Sequence, residues 1–158
     1  MADVSVRLRD IDEDNWMDVA LLTTMKEGGP KVVETFIASN ALSMVQASYE
    51  ETWITKAVYC GKKAVGFAMY GYNEEYDFYE ISRLMIDYNH QNKGFGRITL
   101  KLVIEDMADK FDCDEIYLFV NKDNEKAKRM YESVGFEFTG QYNDHDEIYS
   151  ISLEGNDG

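Results

Sequence analysis

Gln91-Asn92-Lys93-Gly94-Phe95-Gly96-Arg97 separates an extended apolar run at 81–87 from an amphipathic stretch at 97–111. The run reads as a strand, and the stretch after it repeats apolar residues at helical spacing. A strand that feeds a helix through small residues makes an anion site, because the first helical N–H groups have no partner within the helix and point into the turn. A diphosphate fits such a turn. The common nucleotide motifs do not: a dinucleotide fingerprint needs a third glycine where Thr99 stands, and a P-loop needs Gly-Lys-Ser/Thr where the chain has Gly96-Arg97-Ile98.

Downstream, Asn124-Glu125-Lys126-Ala127 leads through Tyr131 to Gly135-Phe136, after a strand-like segment at 115–120. Together the two segments resemble the GNAT superfamily of N-acetyltransferases. Gln91, Gly94 and Gly96 fit its Q/R-x-x-G-x-G/A signature, and 124–136 fits N-x-x-A-x-x-x-Y-x-x-x-G-F. The resemblance runs over 58–138. It implies acetyl-CoA as cosubstrate, its pyrophosphate cradled by Gln91, Asn92, Lys93, Gly94, Phe95, Gly96 and Arg97, mainly through backbone N–H groups. It also implies that two strands splay apart and that the pantetheine arm lies along the main chain of Leu84, Met85 and Ile86. Asn124 caps the second helix, contacts the coenzyme, or does both.

The 158 residues include one proline, Pro30, and no Ser/Gly-rich or repeated segment, so 1–158 reads as a single domain with a frayed tail at 154–158. A net charge of −14 argues against nucleic acid as a partner, since phosphate backbones are bound by Lys/Arg clusters that this chain lacks. The same charge suits a cationic ligand, or simply solubility. The apolar stretch at 64–71 is too short to span a bilayer and the acidic N-terminus lacks signal-peptide order, so the expectation is a cytoplasmic protein with no membrane partner. Cys60 and Cys113 form no C-x-x-C pair and are expected as reduced, buried thiols. His90 and His145 stand apart, and Asp144-His145-Asp146-Glu147 reads as a polar hairpin turn, so no metal is expected.

Along the chain, Val4-Ser5-Val6-Arg7-Leu8 alternates as a first strand. Asp12 or Asp14 would cap a helix burying Trp16, Val19, Ala20 and Thr23 on one face. Lys26-Glu27-Gly28-Gly29-Pro30 breaks it, and further helix falls within 31–50. Segments 53–59 and 63–72 form a hairpin, with Val65, Phe67 and Met69 on one face and Ala64, Gly66, Ala68 and Tyr70 on the other. An acidic turn, Asn73-Glu74-Glu75-Tyr76-Asp77, precedes a strand at 78–87. After the glycine turn, Gly96, Leu100, Val103, Met107 and Phe111 make one apolar stripe. Ile116, Leu118 and Val120 mark the next strand; Ala127, Met130, Tyr131 and Val134 mark the next helix, which Gly135 ends. Strands at 136–142 and 147–153 close the order. This predicts a three-layer α/β fold, with a mixed, mostly antiparallel central sheet of six to seven strands flanked by about four helices, and the resemblance implies that it is of GNAT type.

Acetyl transfer to an amine requires an uncharged nitrogen, a polarised carbonyl and a proton for the departing thiolate. Reference alkyl ammonium groups titrate at about 10.4, so the amine must first lose a proton. The resemblance makes Tyr131 the acid beside the coenzyme sulfur. Glu80 is the candidate base; without a bulge it shares a face with Ser82 and Leu84. Polyamine enzymes of the superfamily often carry an acidic residue where this chain has Ser82, which weakens a direct carry-over. Even so, Val65-Gly66-Phe67-Ala68-Met69-Tyr70-Gly71 and Arg83-Leu84-Met85-Ile86-Asp87 resemble the bacterial diamine and spermine/spermidine acetyltransferases. The expected acceptor is therefore a cationic amine such as spermine or spermidine, bound by Glu75, Asp77 and Glu80. Two alternatives stand beside it: transfer to a protein N-terminus, lysine, aminoglycoside or other small amine, and a non-catalytic acetyl-CoA-binding module. The resembling enzymes are commonly dimers, so a homodimer is one assembly open to this chain.

Overall fold

The computed structural model describes residues 5–24 and 39–153. Its strands are β1 (Val6–Asp10), β2 (Trp53–Cys60), β3 (Lys63–Asn73), β4 (Phe78–Ile86), β5 (Glu115–Asn121), β6 (Glu137–Asn143) and β7 (Asp146–Ser152). They form one seven-stranded sheet in the order β1-β2-β3-β4-β5-β7-β6. Every neighbouring pair is antiparallel except β4 and β5, which run parallel and share one ladder pair, Glu80 opposite Tyr117. The described helices are α1 (Trp16–Ala20), α2 (Asn40–Tyr49), α3 (Phe95–Lys110) and α4 (Glu125–Val134). The mixed, mostly antiparallel sheet with helices on both faces is the architecture that the order of elements predicts.

The apolar stripe of α3 covers one face. Leu100, Val103 and Met107 are fully buried there, packed with Ala68, Tyr70, Ile81 and Leu118. Each such side chain contributes about 1.5–3 kcal/mol by leaving water. Ala127, Met130, Tyr131 and Val134 of α4 close the edge of the same core, half-buried. On the other face Val19 of α1 and Met44 of α2 pack over Ala57, Phe67, Met69 and Met85. Gly135 ends α4 at φ +123, with its N–H and that of Phe136 both donating to the Tyr131 carbonyl.

Several local expectations are corrected. β1 lies two residues further along than the alternation of 4–8 suggests. α1 has five residues, too few turns to put Trp16 and Thr23 on one face; Val19 is fully buried while Trp16 is 48% exposed. Neither aspartate is its N-cap: Asn15 is, while Asp12 accepts the N–H groups of Asp14 and Asn15 in the preceding turn. In the β2–β3 hairpin, Val58 pairs with Gly66 and Tyr59 with Ala64, leaving Val65 as an extra residue. That bulge turns Val65 away from Phe67 and Met69 to pack with Val58, Ile86 and Phe95. Cys60 and Cys113 are free and half-buried rather than buried. The expected break at 26–30, the part of the second helical region before 39, and the tail at 154–158 lie outside the described residues.

Candidate active site

Between β4 and α3 the chain is held by its own side chains. Asp87 is buried; its Oδ1 accepts the Thr23 N–H (3.0 Å) and its Oδ2 accepts the Asn89 N–H (3.2 Å). It thereby caps a single 3-10 turn, Tyr88–His90, that the sequence did not announce. Gln91 donates its amide back to the Ile86 carbonyl (3.0 Å), so the signature glutamine shapes the loop. Gly94 is the N-cap of α3 at φ +83, and a Cβ there would meet nothing within 4 Å; the position demands glycine for its left-handed backbone. Gly96 has a different reason. A Cβ there would stand 3.1 Å from Met130 Sδ, so glycine lets the start of α3 approach α4. Ile98 makes the first helical hydrogen bond, to the Gly94 carbonyl (3.2 Å), which leaves the N–H groups of Phe95, Gly96 and Arg97 without helical acceptors.

These elements enclose a cavity of about 370 Å³. Of the residues named from sequence, Leu84, Met85, Ile86, Gln91, Asn92, Gly94, Phe95, Gly96, Arg97 and Asn124 line it; Thr24, His90, Lys126, Ala127 and Met130 complete the wall. Lys93 is exposed and outside the lining. Lys126 is the cation that the sequence reading missed. Its Nζ donates to Asn92 Oδ1 (2.6 Å), joining the glycine loop to α4 across the cavity. A signal for it exists: Lys126 lies two residues past the N-cap Asn124, where the helix dipole disfavours a cation unless an anion is near. Asn124 caps α4 by accepting the Ala127 N–H (3.1 Å). Arg97 and Lys126 line the wall and, among the described residues, no carboxylate does, in a chain of net charge −14. An apolar floor, free helical N–H groups and two cations fit a ligand with a phosphorylated end and an extended arm.

The strand β4 carries the other half. Met69 pairs with Arg83 and Tyr70 with Ile81, so Ser82 is an extra, exposed residue, and the face-sharing expected for Glu80, Ser82 and Leu84 is broken. Leu84 joins the α3 side, whereas Glu80 stands opposite Gly71 on the side of Met69 and Phe67. Glu80 is 6% exposed, and its Oε1 accepts Asn73 Nδ2 (2.7 Å). Burial pushes its carboxyl above the usual carboxylate range, and the Asn73 hydrogen bond opposes that rise. Such a group accepts a proton more readily than a solvated glutamate.

Tyr131 follows the lining residues Ala127 and Met130 on α4 without itself joining the wall, and its ring packs edge-on to Phe136 at 6.0 Å. Burial pushes its phenol up to about 12, and its hydroxyl has no hydrogen-bond partner among the described residues. The acidic residues named for the acceptor do not converge. Asp77 lines a cleft of about 780 Å³ with Asp112, Asp114 and Glu115, whereas Glu75 lines one of about 550 Å³ with Glu50, Glu51 and Glu74. Glu80 lies between them, beside the stacked rings of Phe78 and Tyr117 (4.4 Å).

Known proteins are similar to this chain in sequence and in fold. Residues 14–136 match the acetyltransferase (GNAT) family. The chain is 30% identical over 139 residues to a spermine/spermidine N(1)-acetyltransferase of Bacillus subtilis, covering 79% of this chain and 91% of that protein. Its fold is similar to that of spermidine N-acetyltransferase from Vibrio cholerae in complex with CoA and spermine, at TM-score 0.71 and 17% identity over 93% of this chain and 95% of the other. An aminoglycoside acetyltransferase in complex with coenzyme A and kanamycin is as similar in fold, at TM-score 0.74 and 18% identity over 95% and 96% of the two chains. By the family match over residues 14–136 and the 30% identity across 79% of its length, the chain belongs to the GNAT family of N-acetyltransferases.

Proposed function

We propose that this enzyme acetylates a primary amine of a polycation such as spermidine or spermine. The observation that carries the reading is a separation of charge. The coenzyme cavity, at the end of β4, is lined by cations, while Glu80 and the two clefts gathered at the start of β4 are acidic. A flexible polyamine finds a carboxylate for each ammonium, and the similarity to the Bacillus enzyme supports the same class of acceptor.

Acetyl-CoA, when bound, supplies the acetyl thioester. The loop N–H groups, Arg97 and Lys126 hold its phosphates, and the main chain of Leu84, Met85 and Ile86 aligns its arm. Glu80 takes a proton from the acceptor ammonium, directly or through water, and the freed nitrogen attacks the acetyl carbon as the C–S bond breaks. Tyr131 donates a hydrogen bond to the departing sulfur, which takes up the proton that the acetylated nitrogen sheds, while Glu80 releases its own proton to solvent. One acetylamine, one thiol and one proton result.

The test is thiol release from acetyl-CoA with spermine, spermidine, putrescine, lysine peptides and aminoglycosides. Spermidine or spermine is expected to give the highest kcat/KM by an order of magnitude or more. Release only with peptides or aminoglycosides would reject the polyamine acceptor, and release with no amine would reject turnover.

A further inference from the structure

We propose that Asn73 is a positioning residue for Glu80: the β3–β4 turn fixes its amide so that it can only donate to that carboxylate, holding the oxygen that receives the proton. The inference rests on the reading of Glu80 as the base. Asn73 is the last residue of β3, and three of its atoms are engaged. Its carbonyl accepts the Asp77 N–H (2.8 Å), its Oδ1 accepts the Tyr76 N–H (3.0 Å), and its Nδ2 donates to Glu80 Oε1 (2.7 Å). The amide orientation is therefore dictated by backbone. Turning it over would set its oxygen against the carboxylate and its NH2 against the Tyr76 N–H, losing both bonds.

Among the described residues no other group shares this task. Tyr117 is paired with Glu80 on β5, and Tyr76, in the turn, feels its charge. Glu74 and Glu75 of the turn and Glu50 and Glu51 after α2 line the cleft on one side, and Asp77 lines the cleft on the other. Arg83, further along the same face of β4, donates to Asn40 Oδ1 (2.7 Å). Among the described residues none of these is hydrogen-bonded to Glu80 and no ion pair reaches it. A buried carboxylate with one donor depends on that donor for its ionised form.

Asn73→Asp separates this role from a purely structural one. Aspartate still accepts the Tyr76 N–H and so keeps the turn, but it faces Glu80 with a second carboxylate, and such a pair shares a proton. Glu80 is followed by carboxyl 13C NMR, with Glu80→Gln providing the assignment, alongside the acid limb of kcat with acetyl-CoA and spermidine. In Asn73→Asp the Glu80 midpoint and the acid limb are both expected to move up by about one unit or more. Asn73→Ser, which can accept at the turn but is too short to reach Glu80, should move both by less, and it serves if the aspartate variant does not fold. An unmoved Glu80 midpoint in a folded variant overturns the inference and leaves the base assignment standing. A shifted midpoint with an unchanged limb, together with full kcat in Glu80→Gln, overturns the base assignment and leaves the Asn73–Glu80 coupling intact.

Discussion

Replacing Tyr131 by phenylalanine removes one oxygen, and the structure says what that oxygen does for the fold: it makes no hydrogen bond among the described residues, while the ring packs on Phe136. Folding stability should therefore change by less than about 0.5 kcal/mol. The catalytic loss follows from the phenol's acidity. At about 12, Tyr131 stays protonated throughout any practical assay, and passing its proton fully to a thiolate of pKa about 8.5 is uphill by roughly 5 kcal/mol. A hydrogen bond to the developing negative sulfur is thus the larger part of its contribution. Bonds to charged groups are worth about 1.5–3 kcal/mol, so kcat should fall by about 10- to 150-fold. The assay is steady-state thiol release, with coenzyme affinity by calorimetry and melting temperature measured in parallel. No alkaline limb below pH 10 should belong to this residue. An unchanged kcat in Tyr131→Phe refutes the assignment, and a melting temperature lowered by many degrees refutes the claim that the hydroxyl is free of the fold.

Other sites give independent checks. Gly96→Ala pushes Met130 aside at the start of α3, so calorimetry should show several-fold weaker coenzyme binding, while stability should change by less than about 1 kcal/mol because alanine's helix propensity offsets the tightened contact. Lys126→Met removes a cation from the cavity wall; binding should weaken about tenfold and become less sensitive to salt, which titrations at two ionic strengths would reveal. Asn124→Ala deletes the α4 cap and should cost about 1 kcal/mol in urea melts. Burial pushes Asp106 upward, but hydrogen bonds from Tyr70 and Lys110, with the charges of Lys110 and Lys56, hold it below its usual value. Its pKa is depressed on folding, so its stabilisation is present above about pH 4 and fades as pH falls through the folded value. Asp106→Ala should accordingly cost about 1–3 kcal/mol at neutral pH and progressively less below pH 4, by denaturant melts across that range.

The sequence by itself determined whatever depends on near neighbours along the chain. The glycine turn at 94–96, the capping asparagine at 124, the stripe from Leu100 to Met107 and the Gly135 terminus are each written within a few residues, because capping, left-handed backbone and helical periodicity are short-range effects. Hence the sheet, its helices and most of the residues that line the cavity behind the glycine loop were legible. What only the tertiary structure decided are contacts counted across strands and between helices. The extra residue at Ser82, which parts Glu80 from Leu84, exists only in the pairing of β3 with β4, and a one-residue slip moves every later side chain to the opposite face. Lys126 meets Asn92 only because α4 packs beside the loop, 34 residues away in sequence. Likewise, Glu75 and Asp77, two residues apart, open into different clefts because the chain reverses between them, which no reading of adjacent charges could supply.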